Sequence, residues 1–300
     1  MGKHQFAKIF LIFLTFAVHI AMLGVSYLAV FPEKSQGLFT AETGNISHKY
    51  DLAAVPDDST FSIWGAIYLL EAVWLFYAIT TVFRSTSKGP LYVSCNVMPP
   101  QMLIAFILNC VINIIWLILF DREKILYSGI IIPFLPICLI YCLVLSHRRL
   151  HSYSVFMIKE SLLFDVWINR FLVQNGIAIN ATWTFIATCL NFGMVLTYVY
   201  DVKEEISSII VLMMVSIGTL LYTYFDYKRK LTHYTVTPYM VVCWATVGIL
   251  LKHAAETSWT NITILSVVLL VGTCIVLGFK VFSILFPLKT DRKSKVKKSS

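Results

Sequence analysis

Apolar residues run along this chain in long blocks, and the charged residues gather between them. A hydrocarbon layer about 30 Å thick is crossed by roughly 20 residues of helix. Eight blocks have suitable length, at about 9–31, 61–83, 101–120, 126–146, 171–199, 207–227, 235–252 and 261–286, each bounded by charges or by Pro, Gly or Asn. The pattern predicts an all-α, polytopic transmembrane bundle of about eight helices. The first block is too long for the core of a cleaved signal peptide and lacks a small-x-small exit. The start MGKHQF has Phe6 where myristoylation needs Ser or Thr.

Composition points the same way. Of 300 residues, 58% are hydrophobic and 13% charged, with a mean hydropathy of +0.77. A soluble domain of this length needs far more polar surface. The 21 Phe, 15 Tyr and 7 Trp suit helices anchored at bilayer interfaces. A net charge of +8 by itself suggests a nucleic-acid partner, but its placement argues against one. Sixteen Lys and Arg lie in the termini and even-numbered loops, against six in the odd loops (Lys34, Lys49, Arg122, Lys124, Lys203 and Lys252). The positive-inside rule therefore puts both termini in the cytoplasm, as an even number of spans requires.

The sequons at Asn45 and Asn261 then fall in outer or lumenal loops, where glycosylation occurs, whereas the one at Asn180 lies within a span and is expected to stay unmodified. The tail KTDRKSKVKKSS, residues 289–300, ends with Lys297 and Lys298 at the spacing of a dilysine endoplasmic-reticulum retrieval signal. A polybasic segment held at anionic lipid is the alternative.

Cysteine offers no scaffold. Six of the seven fall inside apolar spans, and Cys138 and Cys142 have helical spacing that suits packing. His147 and His151 are also four apart, with no carboxylate or thiol to complete a metal site. No phosphate loop, GxSxG, HExxH or intraspan carboxylate pair is present, and span count and sidedness exclude a seven-helix receptor. The chain does not read as an enzyme and implies no certain cofactor.

Polar residues inside the spans carry the remaining information. Trp64, Tyr68 and Glu71 are spaced i, i+4, i+7 and share one helical stripe. An ionised carboxylate near the bilayer centre costs a few kcal/mol, so Glu71 is expected to face the bundle interior. It serves there either as a structural hydrogen-bonding group or in ligand or proton binding. Asn109, Asn113, Trp116 and Phe120 share a face of the third span, where Asn commonly joins helices. In the fifth, Asn180, Thr184, Thr188 and Asn191 surround Trp183, and Ala187 leaves room for a helix or a flat ligand. His19 has no evident partner, and Lys280 is expected to snorkel to the interface.

Three stretches, IWGAIY at 63–68, NIIWLILF at 113–120 and WTFIATCLNF at 183–192, resemble the translocator protein / tryptophan-rich sensory protein (TspO/MBR) family, in that family's order. The resemblance covers residues 7–200 and is nearest to the extended eight-helix subgroup. It implies a five-helix bundle over 1–200, three additional helices over 201–287 and a basic cytosolic tail at 288–300. It also implies a pocket for a porphyrin, sterol or other flat apolar ligand under the first loop. The pocket features would fall on Trp64, Tyr68, Asn113, Trp116, Trp183, Ala187, Thr188 and Asn191, with Glu71 on the same stripe. A family-like sterol pattern has counterparts in Val195, Tyr198 and Lys203. This chain departs from the family in its first loop, polar and acidic without Trp, in IIPFLPIC on the fourth helix, and at Glu71, where relatives are apolar.

The resulting expectation is a membrane protein of the endoplasmic reticulum that binds a planar hydrophobic ligand for sensing or trafficking. Its partners are membrane lipid, the small ligand and a possible second copy of the chain. The alternatives are a small-solute or proton-coupled transporter using Glu71, and an assembly partner without a ligand.

Overall fold

The first helix shows how the bundle is organised. In the computed structural model, which describes residues 3–229, 231–255 and 258–286, α1 spans Phe6–Val30 and buries Lys8, Ile12, Thr15, His19, Met22, Ser26 and Ala29. These recur at alternating steps of four and three, one continuous stripe. Phe6, Phe10, Phe13 and Ile20 face outward and are exposed. Polar residues inside and large apolar ones outside invert the soluble pattern, as a hydrocarbon solvent demands.

The loop after α1 begins at Pro32 and holds a short helix, α2, at Thr43–Lys49. Asp57 caps a 3₁₀ turn, Asp58–Ser62, by accepting from Ser59 N–H, and α3 follows at Ile63–Thr80. A two-residue hairpin pairs β1, Ser85–Thr86, with β2, Gly89–Pro90, and leads into α4, Leu91–Ser94. Pro100 at its first turn opens α5, Pro100–Asp121.

The block expected at 126–146 is two helices, α6 at Ile125–Ile131 and α7 at Phe134–Lys159. They part at Pro133, which has no N–H to give. α7 outruns the apolar block because no Gly or Pro interrupts residues 147–159. The next span also starts early, with α8 at Leu163–Ile168, a π-helical segment at Asn169–Gln174 and α9 at Asn175–Tyr198. The last three helices are α10, Glu204–Arg229, α11, Thr237–Lys252, and α12, Asn261–Leu285.

Seven of these segments are long and apolar enough to cross a membrane. The eighth, α11, has 16 residues, about 24 Å at 1.5 Å per residue. The 3₁₀ turn and its cap pack along it: Asp57 N–H donates to Gly248 O at 3.1 Å, and Trp244 Nε1 donates to Thr60 O at 2.8 Å.

α9 is the central post, packed against α3, α6, α7, α10 and α11. On the face away from the N-terminus, the first loop is bolted to the later helices. Lys252 reaches Asp51 at 2.6 Å, Tyr198 donates to Asp51 O at 2.7 Å, and Glu204 accepts from Ala53 N–H at 2.6 Å. Asp121 accepts from Thr40 and Ala41 N–H at 2.8 and 3.1 Å. On the N-terminal face, Arg84 grips Asp165 with two bonds of 2.6 and 2.7 Å.

Candidate functional site

α3 and α9 bring the aromatic positions together. Trp64 stacks on Tyr68 with ring centroids 5.4 Å apart and meets Trp183 edge-on at 6.3 Å. Phe61 also meets Trp183 edge-on, at 5.7 Å. Such geometries suit aromatic quadrupoles. On α5, Trp116 stacks on Phe120 at 5.2 Å, and its indole N–H donates to Asn191 Oδ1 at 3.3 Å. Ser128 of α6 also donates to that oxygen at 3.5 Å, and Asn191 Nδ2 donates to Ala187 O at 2.9 Å. Trp64, Tyr68, Trp116 and Trp183 all belong to one apolar cluster. Thr188 only donates back to Thr184 O at 2.7 Å. Asn113 is buried with an unpartnered Oδ1, whereas Asn109 does join helices, donating to Leu135 O of α7 at 3.1 Å.

A turn deeper lies the carboxylate. Glu71 is fully buried and accepts a 2.6 Å hydrogen bond from Asn180 Nδ2. Its second oxygen stands 3.6 Å from His19 Nδ1, also fully buried. His19 therefore has a partner after all. The sequence signal was two single ionisable residues in mid-span on different helices, which have reason to face each other.

A cavity of about 560 Å³ opens elsewhere, bounded by α7, α9, α10, the turn after α10 and α11. Its walls are largely apolar, with Ile140, Leu143, Phe185, Leu221 and Phe225 among them, and His147, Arg148, Asp226 and Thr232 stand toward the N-terminal face. His147, Asp226 and Thr232 are already bound. His147 bonds Thr235 Oγ1 at 2.8 Å, and Asp226 receives Lys280 at 2.7 Å and the Thr232 hydroxyl. Lys280 does not snorkel; it is buried, because Asp226 gives it a nearer counter-charge than the interface does. None of Trp64, Tyr68, Glu71, Asn113, Trp116, Trp183, Ala187, Thr188 or Asn191 lines this cavity. Sequence reasoning missed it because its walls come from four helices, two beyond the stretch carrying the motifs.

Comparison with protein families matches residues 11–280 to the family described as TSPO-like protein. The chain belongs to that family. The match runs through α10 and α11 into α12, so the C-terminal helices lie within it. No curated protein and no solved structure matches the chain. With its apolar helices, membership makes this TSPO-like chain a multi-pass integral membrane protein.

The other sequence-level positions are now placed. Asn45 on α2 and Asn261 at the start of α12 are exposed on the face opposite the N-terminus. Asn261 Nδ2 donates to Glu205 at 3.1 Å. Asn180 is buried on Glu71. Lys297 and Lys298 lie outside the described residues. Among the described residues no group of three or more His, Cys, Asp or Glu is placed to hold a metal ion.

Proposed function

We propose that this TSPO-like protein binds a planar hydrophobic ligand, a tetrapyrrole, sterol or other isoprenoid, for sensing or trafficking rather than for chemistry. The observation that carries the reading is the cavity of about 560 Å³, within the roughly 300–1,000 Å³ usual for small-molecule sites. Its apolar walls suit a flat hydrocarbon body, and Arg148 at its polar end suits orientation of a hydroxyl or carboxylate. The aromatic cluster of Trp64, Tyr68 and Trp183 is closed on itself. In this reading it is the rigid wall behind α9 rather than the stacking surface.

The test is a titration of the full chain in nanodiscs with cholesterol and with protoporphyrin, followed by Trp quenching. Thr182→Phe and Thr219→Phe fill the cavity and are expected to weaken binding about tenfold, the equivalent of about 1.4 kcal/mol. Trp183→Ala is expected to have the smaller effect. Saturation by neither ligand, or binding unaffected by both cavity-filling variants, refutes the reading.

The proposal extends to location. Both termini are cytosolic, Asn45 and Asn261 are lumenal acceptors, and Lys297 and Lys298 return the protein to the endoplasmic reticulum. Lys297→Ser with Lys298→Ser is expected to release it to the cell surface, and an unchanged distribution rules this out. A second reading, proton-coupled transport through Glu71, is favoured by the His19–Glu71 juxtaposition.

A further inference from the structure

The polar group at the centre of the bundle plays no part in the cavity, and it is incompletely paired. Glu71 of α3, His19 of α1 and Asn180 of α9 are 0%, 0% and 6% exposed. Asn180 Nδ2 occupies Glu71 Oε1. Glu71 Oε2, both ring nitrogens of His19 and Asn180 Oδ1 have no hydrogen-bond partner, and neither does Trp74 Nε1, one turn along α3. The Tyr68 carbonyl approaches the His19 ring without reaching hydrogen-bond geometry. Buried polar atoms are nearly always paired, so several orphans converging from three helices require an explanation.

We propose that His19, Glu71 and Asn180 form a binding site for one proton, and that its occupancy sets ligand affinity in the cavity. The second half rests on the cavity reading above.

Charge counting supports the first half. Without a proton the His19–Glu71 pair carries −1, with two it carries +1, and with one it is neutral. A net charge inside a membrane bundle is strongly disfavoured unless another charge answers it. The other titratable groups facing Glu71 are Tyr68 on its own helix, Cys110 from α5 and Cys142 from α7. α9 contributes only the neutral Asn180. Among the described residues His19 is the sole ionic partner of Glu71. One proton, taken from bulk water and bonded to Oε2 or to Nδ1, neutralises the pair and supplies the hydrogen missing from the 3.6 Å gap.

The placement of α9 supports the second half. Asn180 lies on the same turn as Ala178, Ala181 and Thr182, which line the cavity. One turn of helix is therefore the wall between the two sites. α9 also follows directly on the π-helical segment Asn169–Gln174, a local departure from α geometry often found at functional sites. Loss of the proton leaves an unanswered charge that draws water and loosens this wall, so the ligand binds the proton-loaded form more tightly.

The experiment uses the full chain in nanodiscs. Infrared difference spectra of wild type against Glu71→Gln are expected to show, at neutral pH, a carboxylic-acid or imidazolium band that Glu71→Gln abolishes and His19→Gln alters. Absence of such a band overturns the proton site. Cholesterol has no ionisable group, so any pH dependence of its binding belongs to the protein. Wild-type affinity is expected to fall several-fold as the band is lost on raising pH. Glu71→Gln, shaped like the neutral acid, is expected to hold the low-pH affinity throughout. A flat wild-type profile, or a pH dependence that survives in Glu71→Gln, overturns the coupling. Failure of cholesterol to bind at any pH removes the cavity reading for sterol and the coupling with it, while the infrared result still decides the proton site.

Discussion

Asn180 Nδ2 donates to Glu71 Oε1 at 2.6 Å, joining α9 to α3 at a point where both side chains are buried. Asn180→Ala strips the carboxyl of its one hydrogen-bond donor. A buried polar group left unsatisfied costs about 1–3 kcal/mol. Thermal unfolding in detergent is expected to report a loss of that size. Asn180→Asp places a second acid on the first and is expected to be worse than Ala; equal stability of Asn180→Asp and wild type would count against a direct bond.

Arg84 and Asp165 make the same kind of test at the N-terminal face. Asp165 is nearly inaccessible, whereas the Arg84 side chain is 39% exposed. Tyr77 also donates to Asp165, at 2.9 Å. Breaking a fully buried pair costs about 3–5 kcal/mol. Because Arg84 keeps access to water, Asp165→Asn is expected to cost about 2 kcal/mol, smaller for solvent screening. Chemical denaturation of Asp165→Asn and Arg84→Gln measures it.

Gly248 touches the first loop through its backbone. A Cβ there collides with Thr60 Oγ1 and Pro56. Gly248→Ala is expected to cost about 1–3 kcal/mol, the usual range for overpacking. The loss is expected to appear first as faster hydrogen exchange over residues 51–62, since that loop is what must move.

The outer ion pair gives a pH window. Lys49 and Tyr50 both bond Glu123, at 2.5 and 2.8 Å, holding its carboxyl below the usual range. The same contact, led by the hydrogen bond from its ammonium to Glu123, raises Lys49. A depressed acid stabilises the fold above its unfolded value and loses that contribution as pH falls through its folded value. A raised lysine contributes fully below its unfolded value and loses it as pH rises through its folded one. The latch of α2 onto the end of α5 is therefore expected to hold between the two and to release at both extremes. Protease nicking of residues 43–50 across pH measures this, and Glu123→Gln is expected to show the released state throughout.

Topology has a simple chemical check. Asn45 and Asn261 are exposed on one face, and Asn180 is buried. Expressed in eukaryotic cells, Asn45→Gln is expected to lose one glycan by gel mobility, while Asn180→Gln loses none. Asn261 starts a spanning helix and is expected to be modified less fully than Asn45.

Much of this protein was legible as a string. The apolar lengths of the spans and the stripe shared by Trp64, Tyr68 and Glu71 are local properties, because a helix satisfies its own backbone inside lipid whatever its neighbours do. The family resemblance was carried by motifs at 63–68, 113–120 and 183–192, and the family match over residues 11–280 bears it out. The break at Pro133 and the length of α7 were less visible, since hydropathy marks where lipid ends rather than where a helix does.

Partnerships were decided only in three dimensions. Nothing along the chain pairs Lys280 with Asp226 or Lys252 with Asp51, because residues 54 and 201 positions apart meet only once helices pack. The cavity is the extreme case. Its volume is what remains where α7, α9, α10 and α11 fail to touch, a property of no one segment. The sequence by itself determined that the chain crosses a membrane and that Glu71 turns inward. The tertiary structure decided which residues meet and where space is left between them, since packing is a relation among helices and composition is not.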